Sequence, residues 1–448
     1  MGESAESRVA IAPSLARTLS LRDLVVYGLL FIGPLAPVGI FGVLDARTDG
    51  AVATVYVLAT IAMSFTAWSY AEMSRVVPRA GSIFAYASEA LGHRVGFIAG
   101  WMAMLDYLLI PSVAYLFSGI ALHTLVPTIP VWAFTVTAFA ITTLLNAGGV
   151  AVAARAGLVI VVAEIGVLLI FLVYAGIALG EHGAARGAWT PFTAVDGFTM
   201  ASVVGAVSIA VLSFLGFDAI ASFAEETAGD SRVVGRAIVI CLATAGVLFV
   251  AQTYLAAVLN PTLPGELAEH PERQGAAFYD FTRSAVGAWM ATLLAITKAI
   301  GPAFAAMTAQ AAAARLLFGM AREGRLPRAL ARIDPRRSVP LVALLAAGAL
   351  TVIVAIWAAQ RSDGLDVLVS IVDLGALAAF TLLHASVVGY FVWQRKARTR
   401  SLHIVVPVLG AIVTVWVIAE ASSLAKTVAA VWLVAGLLVS AFTRPSAR

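Results

Sequence analysis

The sequence predicts an all-α integral membrane protein with twelve transmembrane helices, and three observations predict it. The chain has 448 residues, of which 61% are apolar and 12% charged, with a mean hydropathy of +0.95. Soluble domains average about 45–50% apolar and about 25% charged. Its apolar stretches run about 18 to 30 residues, long enough to cross about 30 Å of hydrocarbon at 1.5 Å per residue. Strand-length alternation of apolar and polar residues is absent, which argues against a porin-like barrel.

The polar start, through Arg22, lacks a short apolar core followed by a small-residue cleavage site, so it reads as a cytoplasmic tail over 1–21 and not as a signal peptide. Apolar windows separated by polar or Pro/Gly-marked loops place helices near 22–46, 52–73, 94–122, 130–147, 155–179 and 198–227. A second group falls near 235–259, 281–319, 340–359, 366–393, 402–421 and 426–443. Between the second and third spans, SRVVPRAGSIFAYASEALGH is too short to cross and reads as an interfacial or re-entrant helix. Between the eighth and ninth, ARLLFGMAREGRLPRALARIDPRRSVP reads as a basic loop broken at Gly324 and Pro327. The single cysteine, Cys241, sits in an apolar helix, so neither a disulfide nor a cysteine metal site is expected.

Two spans are interrupted alike. The first reads GLLFIGPLAPVGIFG, with Gly33, Pro34, Pro37, Gly39 and Gly42 in mid-span; the sixth reads SFLGFDAIASFAEET, with Gly216 and Asp218. Proline removes a backbone donor and glycine costs about 1 kcal/mol against alanine in a helix, so both are expected to unwind. Unwound backbone at membrane depth survives only when buried in protein or lining a cavity. Breaks that open helices 1 and 6 correspond if helices 1–5 (22–181) and 6–10 (197–394) are inverted repeats, with helices 11–12 over 401–443 and a tail at 444–448. Such pairing points to a midplane binding site. A pair of simple kinks is the plainer alternative.

Lys and Arg place both termini inside. That choice gives the inner side Arg75, Arg79, Arg94, Arg155, Arg232, Arg236, the run from Arg322 to Arg337 and the cluster from Arg395 to Arg400. The outer side keeps Arg47, Arg186, Arg273, Arg283, Arg361 and Lys426, a bias of about three to one. The expected location is the inner (plasma) membrane, with the bilayer as partner. The net charge of +4 and pI near 9.3 then reflect anchoring to anionic lipid without nucleic-acid binding.

Ionisable groups inside a membrane are costly and tend to mark pathways. The candidates are Asp106, Glu164, Asp218, Lys298, Asp373 and His384, and four acids against one lysine favour a cationic substrate or protons. Asp106 lies about 12 residues, roughly 18 Å, from the inner end of its helix. Beside it, Tyr107 could border an amine through hydrogen bonding and cation–π attraction. A helix-to-helix tie is the structural alternative. Glu164, flanked by VVA and IGVLL, has no neutralising neighbour in sequence and can load and release a proton, or pair with Lys298. Lys298 is one of only three lysines in an arginine-rich chain, and a buried lysine can lose its proton where arginine cannot. Asp218 follows the expected break, where a carboxylate can hold freed amides in shape or meet substrate. Glu225 and Glu226 read as structural or gating residues. No HExxH, GxSxG or GxxxxGK[ST] is present, so no enzyme activity, catalytic residue, metal or cofactor is expected. A channel lacks the charged rings such pores use, and no loop is long enough for a signalling domain.

Across nearly its whole length the chain resembles the amino acid, polyamine and organocation superfamily, and within it the bacterial putrescine importer group. The resemblance rests on VGFIAGWMAMLDYLLIP, SFLGFDAIASFAEET and RLLFGMAREGRLP. It implies a leucine-transporter type fold: a 5+5 inverted repeat plus two C-terminal helices, with alternating access around a midplane site. By matching position, Pro37, Val38, Gly39 and Ile40, with Phe214, Gly216, Phe217 and Asp218, would line that site, and Asp106 with Tyr107 would face it. Glu164 falls where similar proton-coupled carriers place a lysine, so Glu164 and Lys298 become the coupling candidates, and Asp373 a gating or structural one. Two departures stand out. Amino acid carriers usually show Gly-Ser-Gly or Gly-Ala-Gly at the first break, where this chain has Pro37-Val38-Gly39; putrescine importers tend to carry an acid near it, where this chain has Gly39. The expected function is proton-coupled import of a small organic amine such as putrescine, with an amino acid permease or exchanger for neutral or cationic amino acids as the alternative and no obligate protein partner.

Overall fold

The computed structural model describes residues 17–442, apart from 80, 196, 198, 362–363, 396–399 and 421–422. Among the described residues it is all helical, with a lone β-bridge between Leu19 and Thr227. Helix α1 spans Leu21–Ile32 and starts at a capping box, in which Ser20 Oγ accepts from the Asp23 amide and Asp23 from the Ser20 amide. It ends at Gly33, whose φ of 75° turns the chain out of the helix. A single 3-10 turn, Ala36–Gly39, leads to α2, Phe41–Arg47. Then come α3 (Val52–Val76), α4 (Ile83–Leu91), α5 (His93–Leu125), α6 (Val131–Ala147) and α7 (Val150–His182).

The second half repeats the interruption. After α8 (Thr190–Thr193), α9 (Met200–Leu212) stops, the chain turns through Gly216 at φ 119°, and a 3-10 helix continues over Phe217–Glu226. There follow α10 (Arg232–Leu259), short α11 (Pro264–Glu269), α12 (Pro271–Gln274) and α13 (Ala277–Ala285), and then α14 (Ala288–Arg322). The last four are α15 (Leu341–Ala359), α16 (Gly364–Val388, ending in a π turn), α17 (Leu402–Glu420) and α18 (Ser423–Phe442). Asp230 Oδ1 accepts the Arg232 amide as α10 begins, a bond that holds this exposed carboxyl below its ordinary pKa.

Among the described residues eleven helices are long and apolar enough to cross a membrane, and Val131–Ala147 is apolar but only 17 residues long. Two expectations are corrected. The span read as 281–319 is two helices, because Gly287 at φ 133° separates α13 from α14. The basic loop after it begins later, since α14 runs through Arg322 and takes in both Arg322 and the buried Arg315. The linker expected to be interfacial or re-entrant forms helix α4, most of whose residues are buried.

The packing follows small residues, as expected where lipid supplies no hydrophobic drive. Gly235 and Gly246 let α10 settle on Ala71 and Thr60 of α3, and Gly375 lets α16 reach the backbone of α5 at Met102 and Asp106. Leucine, isoleucine and valine side chains of α7, α15, α17 and α18 face outward. His384 lies inside α16, hydrogen-bonded at 3.0 Å to Ser69 and 3.3 Å to Thr66 of α3, with Gly410 of α17 against its ring. That arrangement ties three helices together. The Asp373 side chain lies outside the described residues.

Candidate functional site

The two breaks meet. The Phe31 ring lies on Gly216, where a Cβ would approach it to 2.6 Å, so a side chain at 216 would push the breaks apart. Opening α1 frees the Pro34 carbonyl, which accepts from Gln252 Nε2 of α10 at 3.0 Å. Gly39 is exposed, with nothing within 4 Å of where a Cβ would stand, so the first break borders open space. Pro37 and Val38 are buried beside it and Ile40 is half-buried. The amides of Ala36, Val38 and Ile40 already donate to Gly33, Leu35 and Pro37, and residues 34 and 37 have no amide to offer.

At the second break each oxygen of the Asp218 carboxylate accepts a protein hydrogen bond. One oxygen accepts the Gly216 amide at 3.1 Å and the other the Tyr107 hydroxyl of α5 at 2.6 Å. The carboxylate thereby fixes the turn and pins it to α5 with a charge-assisted bond. Around this pair stands an aromatic cluster. Tyr70 of α3 meets Phe217 at 6.3 Å, Phe380 of α16 at 5.9 Å and Tyr86 of α4 at 6.1 Å, each edge to face. Phe217 and Phe380 stack at 6.1 Å. Tyr70 is also in electrostatic reach of both Asp218 and Asp106, and Asp106 is 2% exposed. Two buried carboxylates, Asp218 and Asp106, thus stand near a packed cluster of four rings, Tyr70, Tyr86, Phe217 and Phe380. Phe214 turns elsewhere, packing on Tyr56 and Phe249 at 6.4 and 5.0 Å.

Glu164 of α7 is a separate centre. It is 3% exposed, one carboxylate oxygen has no hydrogen-bond partner among the described residues, and the other lies where a Cβ at Gly301 of α14 would fall. Lys298, one turn earlier on α14 and half-buried, is its electrostatic partner without a direct ion-pair contact. The space that a residue larger than glycine would take at 301 is the space the carboxyl occupies.

The basic end is closed by charge. Arg315 grips Glu226 through two nitrogens, Nη2 to Oε2 at 2.9 Å, and its guanidinium lies 4.2 Å from the Phe223 ring centre. Both partners are buried. Arg322 meets Glu225 at 2.8 Å. Tyr27 of α1 stacks on Phe223 at 4.8 Å and donates to the Val150 carbonyl at 2.9 Å. The Thr18 and Leu19 amides both donate to the Glu226 carbonyl at 2.9 Å. The opposite end is held by a buried bidentate pair of Arg186 and Asp45, both bonds at 2.8 Å, with Arg186 also on the Thr262 carbonyl.

Sequence reasoning found Glu225 and Glu226 but missed Arg315, Asp45, Arg186, Tyr70 and Tyr86. Arg315 could have been noticed, since it stands in the apolar run AAAARLLFGM; Tyr70 and Tyr86 carry no signal apart from being aromatic.

The sequence model described as amino acid permease matches residues 24–442. The chain belongs to the amino acid permease family. The permease is 32% identical, over 97% of its own length and 95% of the other, to the low-affinity putrescine importer PlaP of Escherichia coli (strain K12). It is 28% identical, over 84% and 81%, to the branched-chain amino acid permease BcaP of Bacillus subtilis (strain 168). It is also 28% identical, over 97% and 94%, to a methylthioribose transporter of the same organism. The permease is therefore a multi-pass membrane transporter of small molecules, and its relatives are carriers and not enzymes.

Proposed function

We propose that the permease imports a small organic amine such as putrescine, driven by protons, by alternating access. The observation that carries the amine is the placing of buried Asp106 and Asp218 beside Tyr70, which packs on Phe217 and Phe380. Carboxylates supply the counter-charge, and ring faces attract a desolvated ammonium by about 2 kcal/mol. The first break favours the same reading over an amino acid substrate. A substrate carboxylate is bound by free amides, and three of those at the break, of Ala36, Val38 and Ile40, are spent within it. The 32% identity to a putrescine importer agrees with it.

In this reading helices 1–5 and 6–10 are inverted repeats bounded at 22–181 and 197–394, helices 11–12 are appended, and both termini are cytoplasmic. The basic end, with Glu226 and Arg315, is then the inner gate and Asp45 with Arg186 an outer clamp. Glu164 carries the proton and Lys298 senses its charge, since each alters the electrostatic cost of the other. The test is uptake of radiolabelled putrescine into proteoliposomes under an inward proton gradient. The gradient is expected to stimulate wild type about tenfold, while Glu164→Gln loses the stimulation and keeps exchange at equal pH, as removal of about 1.4 kcal/mol of coupling requires. Wild-type uptake indifferent to the gradient, or Glu164→Gln still stimulated, contradicts the coupling.

A further inference from the structure

Helix α4 and its N-cap bring two buried hydroxyls beside Tyr70, and the fold leaves that of Tyr86 unpaired. Tyr86 and Ser82 are both fully buried; Tyr86 Oη has no hydrogen-bond partner among the described residues, and Ser82 Oγ lies within hydrogen-bonding reach of the Tyr70 side chain. Leaving a buried polar group unpaired costs about 1–3 kcal/mol, and native structures pair the great majority of them. Phenylalanine at 86 would fill the same space without that cost. Ser82 carries a second cost: it sits at φ 47° and ψ −127°, a conformation natural to glycine, directly after Gly81 at φ 112°. Strain of this kind costs on the order of 1–3 kcal/mol and gathers at binding sites. Glycine at 82 would relieve it.

These two hydroxyls lie beside the amine site. The Tyr86 ring meets Tyr70 edge to face at 6.1 Å, Ser82 faces the Tyr70 side chain, and Tyr70 in turn reaches toward Asp218 and Asp106. Asp218 itself is held by Tyr107 and Gly216.

We propose that Ser82 and Tyr86 form a second subsite, which takes the far ammonium of an extended aliphatic diamine whose near ammonium is held by the acids. Neutral hydroxyl oxygens accept N–H donors from the ammonium, and the Tyr70 and Tyr86 rings add their faces. The site thereby reads the second charge without a third buried carboxylate, whose desolvation would cost several kcal/mol when the site is empty. This subsite rests on the amine reading above. It assigns to α4, a linker between two spans, the discrimination between diamine and monoamine.

The experiment measures dissociation constants of 1,4-diaminobutane and n-butylamine for purified wild type, Tyr86→Phe and Ser82→Gly, together with their melting temperatures. The preference of wild type for the diamine is expected to fall five- to tenfold in each variant, while neither melts below wild type. Tyr86→Phe removes an unpaired hydroxyl and Ser82→Gly relieves a strained backbone, so a merely structural role predicts the same ligand preference as wild type. An unchanged preference in folded variants overturns the subsite and leaves the amine reading standing. A melting temperature that falls by several degrees in both overturns it too, since the hydroxyls would then serve the fold. Wild type that binds neither amine overturns the subsite and the amine reading together.

Discussion

Arg315→Ala is expected to be the most damaging single change at the basic end, lowering stability by about 3–5 kcal/mol. The residue is buried, holds Glu226 through two nitrogens, donates to the Ala311 carbonyl at 2.8 Å and covers the Phe223 ring. Removing it strands the Glu226 carboxylate at 1% exposure, where a lone charge is far costlier than a neutral residue. Glu226→Ala strands the guanidinium in the same way. The double variant Glu226→Ala/Arg315→Ala is expected to lose less than the sum of the singles, because no charge is left alone. Thermal melting of the purified proteins measures this, and single variants within about 0.5 kcal/mol of wild type would show the pair to be incidental.

The same pair sets how readily the basic end opens, and the sequence supplies a reporter for it. Cys241 is the one cysteine in the chain, fully buried between Gly28 of α1 and Ile220 of the 3-10 helix. If Glu226 and Arg315 hold these segments together, Arg315→Ala exposes the thiol more often. Maleimide labelling is then several-fold faster than in wild type at a temperature where both are folded. Equal rates would separate the ion pair from gating.

Asp218→Asn is expected to abolish measurable amine uptake while leaving a folded protein. The amide keeps one oxygen to accept from Tyr107 or Gly216 but removes the charge, and a buried, hydrogen-bonded charge partner is worth about 2–5 kcal/mol. The lower figure is a loss of about 30-fold in affinity. Asp106→Asn is expected to lose a comparable amount, since Asp106 is equally buried and shares Tyr70 with Asp218. Tyr107→Phe is milder: it breaks the 2.6 Å bond but spares both charges. Direct binding measurements check the order. An Asp218→Asn protein that binds amines as wild type does would confine the residue to shaping the turn.

The helical architecture was legible because the bilayer imposes it: long apolar runs have no other way to satisfy their backbone. The breaks were legible for the opposite reason, as Gly33, Pro34, Pro37 and Gly216 have little place in an undisturbed helix. Asp106, Glu164 and Asp218 were visible as charges in apolar text. What the sequence withheld was pairing. Arg186 reads as a loop charge, and only the fold brings it to Asp45 across 141 positions. Arg315 reads as the edge of a basic loop until α14 is seen to continue past it to Arg322. Tyr70 and Tyr86 look like lipid-facing or core aromatics, because nothing local records that a third and a fourth helix bring Phe217 and Phe380 to the same place. The separation of α13 from α14 was missed because Gly287 is one glycine in an apolar stretch, and its φ of 133° is a property of the fold.

The central claim is that the volume between the two breaks takes an amine in preference to an amino acid. The most direct measurement is the melting temperature of the purified permease with putrescine, n-butylamine, leucine or arginine at saturating concentration, since a ligand present at about 100 times its dissociation constant adds about 2.7 kcal/mol to the folded state. The two amines are expected to raise the melting temperature by several degrees, and leucine to leave it unchanged. A rise with leucine and none with either amine would contradict the claim.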